Sequence, residues 1–160
     1  MTGIVRAAGD GMVLRNPVGG TVRLMVRGSD TGGSVTALET TAAPGEGPPL
    51  HCHADEGELL YVIDGTFRFR LEDEVSEASA GGIVFIPRGV RHTWQNVADA
   101  PARMLAVFTP SGMERFFERF SEHADRDSAP DAFRRIGADV GMDVVGPPLA
   151  QSHPVPTQAS

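Results

Sequence analysis

The sequence has no lysine, and this absence removes several classes of chemistry. All 14 basic residues are arginine, and they are scattered along the chain without forming a basic block. Without a side-chain amine the protein cannot form a Schiff base with a carbonyl substrate, so aldolase-type and pyridoxal-phosphate enzymes are excluded. The net charge of −7 and the lack of a basic cluster argue against a nucleic-acid partner.

Cysteine and long apolar runs are also scarce. Cys52 is the only cysteine, so an intramolecular disulfide is impossible. A lone thiol is more often a small buried hydrophobe than a nucleophile, and we interpret Cys52 as structural. No apolar run approaches the roughly 18 residues that span a bilayer. The N-terminal MTGIVRAAGDGM lacks the pattern of a secretory signal, so we expect a cytoplasmic protein without membrane contact.

What the sequence does contain is a β pattern. A length of 160 residues with 41% hydrophobic and 22% charged residues is typical of one globular domain. From about residue 12 to about residue 109, short alternating apolar runs are separated by turn residues. In TFRFRL, for example, Phe67 and Phe69 lie on one face of a strand, and Arg68 and Arg70 lie on the other. The pattern predicts an all-β sandwich or barrel.

Two turn signals punctuate these strands. Asp64-Gly65 separates ELLYVI from TFRFRL and predicts a two-residue β-hairpin. Pro87 and Gly89 in IPRG predict a tight turn. Neither signal specifies the order of the strands.

After Pro110 the apolar period changes from two residues to that of a helix. SGMERFFERFSEHA predicts an amphipathic helix, with Ser111 as N-cap and Glu114 completing a capping box. We expect its apolar stripe to pack in a core rather than to bind a cofactor; the stripe consists of Met113, Phe116, Phe117 and Phe120.

A second helix is predicted to begin near Pro130 and to end at Gly141. Phe133, Ile136 and Val140 have the spacing of its inward face. The closing QSHPVPTQAS has the composition of a mobile tail.

These signals divide the chain into three parts. We expect a barrel with an N-terminal arm over residues 1–110, a helical appendage over 111–147 and a mobile tail over 148–160.

The stretch HCHADEGE carries the first chemical signal. In a strand, the side chains of residues two apart point the same way, and their backbone positions are about 6.6 Å apart. The imidazoles of His51 and His53 can therefore converge on one ion, with nitrogen–metal distances of about 2.1 Å. Cys52, between them, faces the other way. A turn over residues 54–57 would bring Glu58 back to add a carboxylate oxygen. On this stretch alone, two partly exposed histidines bonded to water remain an alternative.

Downstream, GGIVFIPRGVRHTWQN supplies a second set of fixed positions, and together the two sets resemble the signature motifs of the cupin superfamily. The first motif, G-x5-H-x-H-x4-E-x6-G, and the second, G-x5-P-x-G-x2-H-x3-N, are both complete. The matching residues are Gly45, His51, His53, Glu58 and Gly65 in the first motif, and Gly81, Pro87, Gly89, His92 and Asn96 in the second.

The resemblance implies a double-stranded jelly-roll barrel with His51, His53, Glu58 and His92 as ligands of one divalent transition metal ion. Such a set leaves open coordination positions, and its nitrogen and oxygen donors suit Fe, Mn, Ni, Co, Cu or Zn. The sequence does not identify the metal. We expect the other two histidines, His123 and His153, to be solvated.

Alternation nominates pocket walls around this site. The side chains two and four residues after Glu58 lie on the same face of the strand as Glu58, and the same spacing holds after His92. Aromatic residues of the neighbouring strand can also line the pocket. Ordinary barrel core is the alternative for each. The candidates are Leu60, Val62, Phe67, Phe69, Trp94 and Asn96.

Within the cupins, the chain resembles the single-barrel proteins described as quercetin 2,3-dioxygenase-like. The resemblance implies a metal-dependent dioxygenase that acts with O2 on a flavonol-like or other enolic or phenolic small molecule, with Glu58 as base. One alternative is an O2-independent metal-dependent isomerase, decarboxylase or polyketide-type cyclase. Another is a small-molecule-binding protein without catalysis.

Cupin barrels of this size commonly pair, so the resemblance also implies a homodimer. Edge strands, the N-terminal arm and the helix that carries Phe116, Phe117 and Phe120 are the candidate contacts.

Overall fold

The structure, a computed structural model, describes residues 3–123 and 129–155. Within these ranges the chain forms mainly antiparallel β-strands, followed by two helices and a last strand. The strands are β1 (Met12–Arg15), β2 (Thr21–Val26), β3 (Thr36–Ala42), β4 (Pro49–His53), β5 (Gly57–Asp64), β6 (Thr66–Leu71), β7 (Glu74–Ser79), β8 (Ile83–Ile86), β9 (His92–Asn96), β10 (Ala102–Thr109) and β11 (Met142–Pro148). The helices are α1 (Gly28–Thr31), α2 (Glu114–His123), α3 (Ala129–Ala138) and α4 (Leu149–Ser152).

The strands form two sheets that enclose the core. Sheet A has the order β1-β2-β3-β10-β5-β8, and sheet B has the order β11-β4-β9-β6-β7. Neighbouring strands pair antiparallel throughout both sheets. The predicted all-β fold with C-terminal helices is confirmed.

Alternation along the strands explains why the core lies between the sheets. In β6, Phe67 and Phe69 are buried, whereas Arg68 and Arg70 face outward, as the sequence pattern predicts. Burying a phenylalanine side chain of this kind contributes about 1.5–3 kcal/mol. The same alternation buries Leu60 of β5 against the opposite sheet.

The turn at Asp64-Gly65 is not the predicted hairpin. β5 pairs with β10 and β8 in sheet A, whereas β6 pairs with β7 and β9 in sheet B, so the chain crosses between sheets at Gly65. Gly65 has a φ of 79°, and a Cβ there would overlap the Ala102 side chain. A glycine is required at this crossing because of its positive φ. The short connection nevertheless joins two strands, β5 and β6, that do not pair with each other. By contrast, the predicted Pro87-Gly89 turn is confirmed by a hydrogen bond from Val90 N to Pro87 O at 3.3 Å.

Helix α2 begins at Glu114, but the predicted capping box does not form. The Ser111 amide donates to Gly33 O at 3.0 Å, and the Glu114 carboxylate accepts hydrogen bonds from the amides of Gly28 and Gly112 and from the Thr36 hydroxyl. Glu114 therefore attaches the start of α2 to α1 and β3. The capping motif in the sequence does not show that donors far away in the chain will hydrogen-bond the Glu114 carboxylate instead.

Helix α3 packs against α2 and β11, and its predicted inward face is confirmed. Phe133, Ile136 and Val140 are all buried, and Gly141 follows the helix with a φ of 80°. None of the helices in the described ranges has the length and apolarity needed to cross a bilayer.

The end of the chain differs from the expected tail. Residues 142–147, placed in the helical appendage by sequence, form β11 together with residue 148 of the expected tail. β11 pairs with β4 and so belongs to sheet B. After it, α4 buries Leu149 completely, and the Arg68 guanidinium donates to His153 O at 2.9 Å. Residues 148–152 of the expected tail therefore belong to β11 and α4, and its last part, residues 156–160, lies outside the described residues.

Candidate metal centre

Three strands bring the four predicted ligands together inside the barrel. His51 and His53 alternate along β4 with Cys52, which is half-buried on the other face. His92 is the first residue of β9 and stands directly opposite His51 in the sheet. Glu58 comes from β5 in the opposite sheet, so both sheets contribute to one cluster.

The cluster is compact and shielded from solvent. His51, His53, Glu58 and His92 are all buried, and one ligand atom from each lies within 4.8 Å of every other. The Glu58 Oε2 atom is 2.9 Å from His92 Nε2 and 3.5 Å from His53 Nε2. Two ligands of one ion at about 2.1 Å lie at most about 4.2 Å apart, so the cluster is close to the size of a coordination sphere.

Backbone carbonyls orient two of the imidazoles. His51 Nδ1 lies 2.8 Å from Pro49 O, and His92 Nδ1 lies 2.9 Å from Val90 O. In each case the carbonyl is two residues earlier in the chain. A proton on Nδ1 is donated to the carbonyl and leaves the Nε2 lone pair directed at the centre, as in metal-ligating histidines.

Several buried atoms at the centre have no hydrogen-bond partner among the described residues. They include both ring nitrogens of His53, Oε2 of Glu58 and Nε2 of His92. An unsatisfied buried polar group costs about 1–3 kcal/mol, and native proteins rarely leave several in one place. A cation between these residues would satisfy Glu58 Oε2, His92 Nε2 and one ring nitrogen of His53, so the residues present fit a metal ion.

Burial and mutual charge shift the pKa values of three residues at the centre. Burial, together with the charges of His92 and His53, lowers the pKa of His51 well below its ordinary value, so this imidazole stays neutral. Burial acts to raise the pKa of Glu58, but the close approach and charge of the His53 and His92 imidazoles outweigh burial and hold it below the ordinary range. Burial acts to lower the pKa of His92, and the Glu58 carboxylate more than compensates, so that pKa is raised.

The remaining candidate ligands lie elsewhere. Burial and the charge of Asp143 raise the pKa of the Cys52 thiol, which therefore stays protonated on the far side of β4. His123 and His153 are half-exposed and bond to Arg119 O and Ser152 Oγ. Within the described ranges, the His51 cluster is the one group of three or more such side chains with converging ligand atoms.

An inner cavity of about 60 Å³ opens onto the cluster. It is mainly apolar, and Glu58 is the one carboxylate among the described residues that line it. The Phe133 ring from α3 closes one side, 6.1 Å from the His51 ring and 4.9 Å from the Phe116 ring. The lining residues are Asn16, Pro17, Val18, Leu38, Thr40, Pro48, His51, His53, Glu58, Leu60, Trp94, Ala106, Phe108, Met113, Phe116, Phe117, Phe133 and Met142.

Of the six predicted pocket walls, Leu60 and Trp94 line this cavity. Val62, Phe67 and Phe69 lie farther along the barrel in the packed core and do not reach it. Asn96 is buried too, but its amide bonds backbone groups instead: Nδ2 donates to Ala42 O and Ala100 O, and Oδ1 accepts from Ala98 N, all at 2.9 Å. These four residues do not line the cavity, because inward orientation alone does not determine which part of the interior stays open.

Sequence reasoning missed the residues that close the cavity. They come from the β1–β2 loop, α2, α3 and β11, and include Pro17, Val18, Phe117, Phe133 and Met142. The spacing of apolar residues in the second predicted helix identified Phe133 as inward-facing. No local pattern shows which end of the barrel a helix will cover.

A larger outer cavity of about 600 Å³ adjoins the inner one. The two share Pro17, Val18 and Phe133 in their walls. The rest of the outer wall is rich in proline and glycine, and Arg134 is its one charged residue among those described. Phe133 therefore stands between solvent and the ligand cluster.

A second buried carboxylate lies beside the cluster. Glu56 is 3% exposed, and its Oε2 has no hydrogen-bond partner among the described residues. Burial raises its pKa, and the His53 charge opposes that rise. Because Glu56 does not line the cavity, it provides a matched comparison for Glu58.

Comparison with known proteins agrees with the fold. Residues 38–108 match the cupin domain family, and the chain belongs to the cupin superfamily. A solved structure described as a predicted oxalate decarboxylase from Thermotoga maritima superposes with a TM-score of 0.58 at 21% identity, over 67% of this chain and 98% of that one. The expected cupin jelly roll is thereby confirmed.

Two sequence relatives come from Streptomyces. The tetracenomycin polyketide synthase protein TcmJ of Streptomyces glaucescens is 30% identical over 93 residues, which are 58% of this chain and 62% of TcmJ. Protein SchB of Streptomyces halstedii is 31% identical over 93 residues, which are 58% of this chain and 67% of SchB. The match to TcmJ thus spans less than two thirds of that protein.

Proposed function

We propose that this chain binds one divalent transition metal ion through His51, His53, Glu58 and His92, and converts an enolic or phenolic small molecule there. The observation that carries the proposal is the set of converging, buried ligand atoms without hydrogen-bond partners. The donor set of three imidazoles and one carboxylate leaves positions free for a substrate, as a catalytic site requires.

The residues around the centre support acid–base chemistry. A divalent ion bound there would supply Lewis acidity and polarise an enol, phenol or carbonyl oxygen of the substrate. Glu58 is the carboxylate that faces the cavity, so it is the group placed to accept a proton from a substrate carbon or hydroxyl. The rings of Trp94, Phe108 and Phe116 exclude water and suit a flat apolar substrate.

The size of the cavities limits how the substrate binds. About 60 Å³ holds only a few water molecules, whereas ligand pockets usually measure about 300–1,000 Å³. A ring-system substrate would therefore place its reacting end in the inner cavity and extend past Phe133 into the outer cavity of about 600 Å³.

The first candidate reaction is an O2-independent isomerisation or cyclisation of a polyketide-type intermediate. The name of TcmJ places that relative in polyketide synthesis, and polyketide intermediates are readily enolised. This similarity moves the O2-independent alternative ahead of the dioxygenase that the sequence resemblance implied.

The second candidate is the dioxygenase itself. It is favoured by the absence of thiolate from the ligand set and by the free positions that such a set leaves, which allow a substrate and O2 to bind together.

Turnover with and without oxygen separates the two candidates. The chain would be reconstituted with Fe, Mn, Co, Ni, Cu or Zn in turn and incubated with polyketone, phenol and flavonol substrates under strict anaerobiosis. Products whose mass equals that of the substrate, or is lower by water, support the first candidate. Turnover only with O2, with both oxygen atoms retained in the product, supports the second. No conversion with any metal under either condition contradicts catalysis.

Two matched variants test the role of Glu58. Glu58→Gln is expected to reduce kcat by at least about 100-fold, because general-base catalysis contributes about 100- to 10,000-fold. Glu56→Gln changes a carboxylate that is equally buried but does not face the cavity, and should leave kcat within a few-fold of the wild type. Similar losses of kcat in both variants would contradict the role of Glu58 as the proton acceptor.

A further inference from the structure

Two polar side chains lie in the wall of the inner cavity away from the metal centre. Apart from the candidate ligands and the indole of Trp94, the polar side chains that line this cavity in the described part of the chain are Asn16 and Thr40. Asn16 is 8% exposed and Thr40 is 5% exposed. In mostly apolar pockets, a small number of placed polar groups fixes the orientation of the ligand. The acid–base chemistry proposed above uses neither residue.

The hydrogen bonds of Asn16 determine which end of its amide faces Thr40. The backbone amide of Val18 donates to Asn16 Oδ1 at 3.3 Å, so this end of the side chain is the oxygen. The other end, Nδ2, donates to Thr40 Oγ1 at 2.7 Å and to Thr41 O at 3.4 Å. The Thr40 hydroxyl therefore accepts a hydrogen bond from Asn16 and does not donate one to it.

The hydrogen of the Thr40 hydroxyl has no acceptor among the described residues. A threonine hydroxyl has one donor hydrogen as well as acceptor lone pairs. The bond from Asn16 uses a lone pair of Thr40 Oγ1 and leaves the donor function free. Buried polar groups normally form hydrogen bonds, so a free donor in the wall of a cavity is available to an oxygen atom of a ligand.

The Asn16–Thr40 pair lies where the inner cavity meets the outer one. Asn16 directly precedes Pro17 and Val18 in the β1–β2 loop, and these two residues line both cavities. A substrate that extends from the metal centre past Phe133 into the outer cavity therefore runs beside this pair.

The strand register gives the separation between Thr40 and the metal centre. Glu58 of β5 and Thr36 of β3 both pair with Phe108 of β10, which lies between these strands. Thr40 is four residues beyond Thr36 on β3. The backbone of Thr40 is thus about 13 Å from that of Glu58 along the strands and about 10 Å across the sheet. A single aromatic ring is short for this span, whereas two or more rings match it better.

We propose that Thr40 is a specificity-determining residue that donates a hydrogen bond to a second oxygen of the substrate. The substrate class is an elongated phenol or enol of at least two rings, with one oxygen at the metal centre and another at the opposite end. Asn16 is a positioning residue, because its amide holds Thr40 Oγ1 and leaves the hydroxyl hydrogen for the cavity. The metal-bound end of this substrate rests on the proposed function, whereas the Thr40 contact can be tested by binding alone.

A purely structural role for the pair predicts a different result. If the bond only attaches the β1–β2 loop to β3, its loss would loosen the cavity and weaken the binding of all ligands alike. A hydrogen bond from Thr40 affects only ligands that carry the second oxygen. Two probes differ in this one feature: 4,4′-dihydroxybiphenyl has a hydroxyl at both ends, and 4-hydroxybiphenyl has a hydroxyl at one end.

Equilibrium dialysis of the zinc-loaded chain measures the Kd of both probes without oxidation, since zinc does not change its redox state. Thr40→Val removes the hydroxyl and keeps the shape of the side chain. It is expected to raise the Kd of 4,4′-dihydroxybiphenyl by about fivefold or more, because the second hydroxyl of the probe loses its partner, and to leave that of 4-hydroxybiphenyl within about twofold. If this variant does not fold, Thr40→Ala carries the same expectation.

Two further variants serve as controls. Thr40→Ser keeps a hydroxyl at the same position and should retain the preference for 4,4′-dihydroxybiphenyl. Thr41→Val removes a hydroxyl from the next residue of β3, whose side chain points to the opposite face, and should leave both Kd values unchanged.

Three results would overturn the proposal: an equal rise of both Kd values in Thr40→Val, equal affinity of the wild type for the two probes, or binding of neither probe. Dialysis of the metal-free chain tests the proposed function separately. If zinc does not tighten the binding of either probe, the metal centre does not hold a phenol oxygen, whatever the effect of Thr40→Val.

Discussion

Two regions of the same barrel interior differ in what their inward-facing residues do. In one region, Val62, Phe67 and Phe69 fill the space between the sheets, and in the other, the ligand cluster borders an open cavity. Alternation along the strands makes both sets of residues point inward. The difference arises because α2, α3 and β11 enclose one region without filling it, so an inward-facing residue is not necessarily a residue that faces the substrate.

The strongest effect on stability is expected in the packed region. Phe69→Ala removes a ring that is 1% exposed, and truncation of a buried phenylalanine costs about 3–5 kcal/mol of unfolding free energy. The same change at Phe117, a half-buried ring on the cavity wall, should cost about half as much or less, because the ring already borders empty space. Urea unfolding of the metal-free chain measures both values. Equal losses of unfolding free energy would contradict the distinction between the packed region and the cavity wall.

A smaller loss is expected for Asn96→Ala. Three hydrogen bonds to backbone groups disappear, and the groups left unpaired cost about 2–3 kcal/mol in total. Gln95→Ala, next in the chain, removes one bond of 3.3 Å to Gly45 O and should cost about 1 kcal/mol. Metal affinity should be unchanged in both variants. A selective loss of substrate binding in Asn96→Ala would instead return this residue to the pocket.

The smallest effect on the metal-free chain is expected inside the cluster. His53→Leu replaces a buried ring whose two nitrogens have no hydrogen-bond partner among the described residues. Removing unsatisfied polar atoms should leave the metal-free stability within about 1 kcal/mol of the wild type, or above it. Thermal unfolding in the presence of a chelator checks this value. A loss as large as that of Phe69→Ala would mean that the cluster stabilises the fold without an ion.

Local sequence information was sufficient for the β region between about residues 12 and 109 and for the four candidate ligands. The spacing of His51, His53 and Glu58 follows from strand alternation and one turn, and His92 follows a proline–glycine turn on a neighbouring strand. The structure brings these four side chains together as the resemblance implied. Each of these features depends on residues that are close in sequence or on a motif with fixed spacing.

Long-range partners could not be predicted in this way. Gly65 has the composition of a hairpin turn, yet it connects strands of different sheets. The Glu114 carboxylate bonds Thr36, 78 residues away, rather than the Ser111 amide that a capping box requires. β11 has a proline at its end and pairs with β4 across about 90 residues of chain, so no local pattern identified it. The cavity walls could not be predicted from local patterns either, because they depend on where the helices pack.

We expect the four converging side chains to form one metal site. This expectation is tested most directly by elemental analysis of the chain after metal removal and reconstitution, performed on the wild type and on His51→Ala. We expect one divalent ion per wild-type chain, a rise in thermal stability with bound metal, and loss of both in His51→Ala. A wild-type chain that retains none of Fe, Mn, Co, Ni, Cu and Zn, or a His51→Ala variant that binds metal as the wild type does, would contradict it.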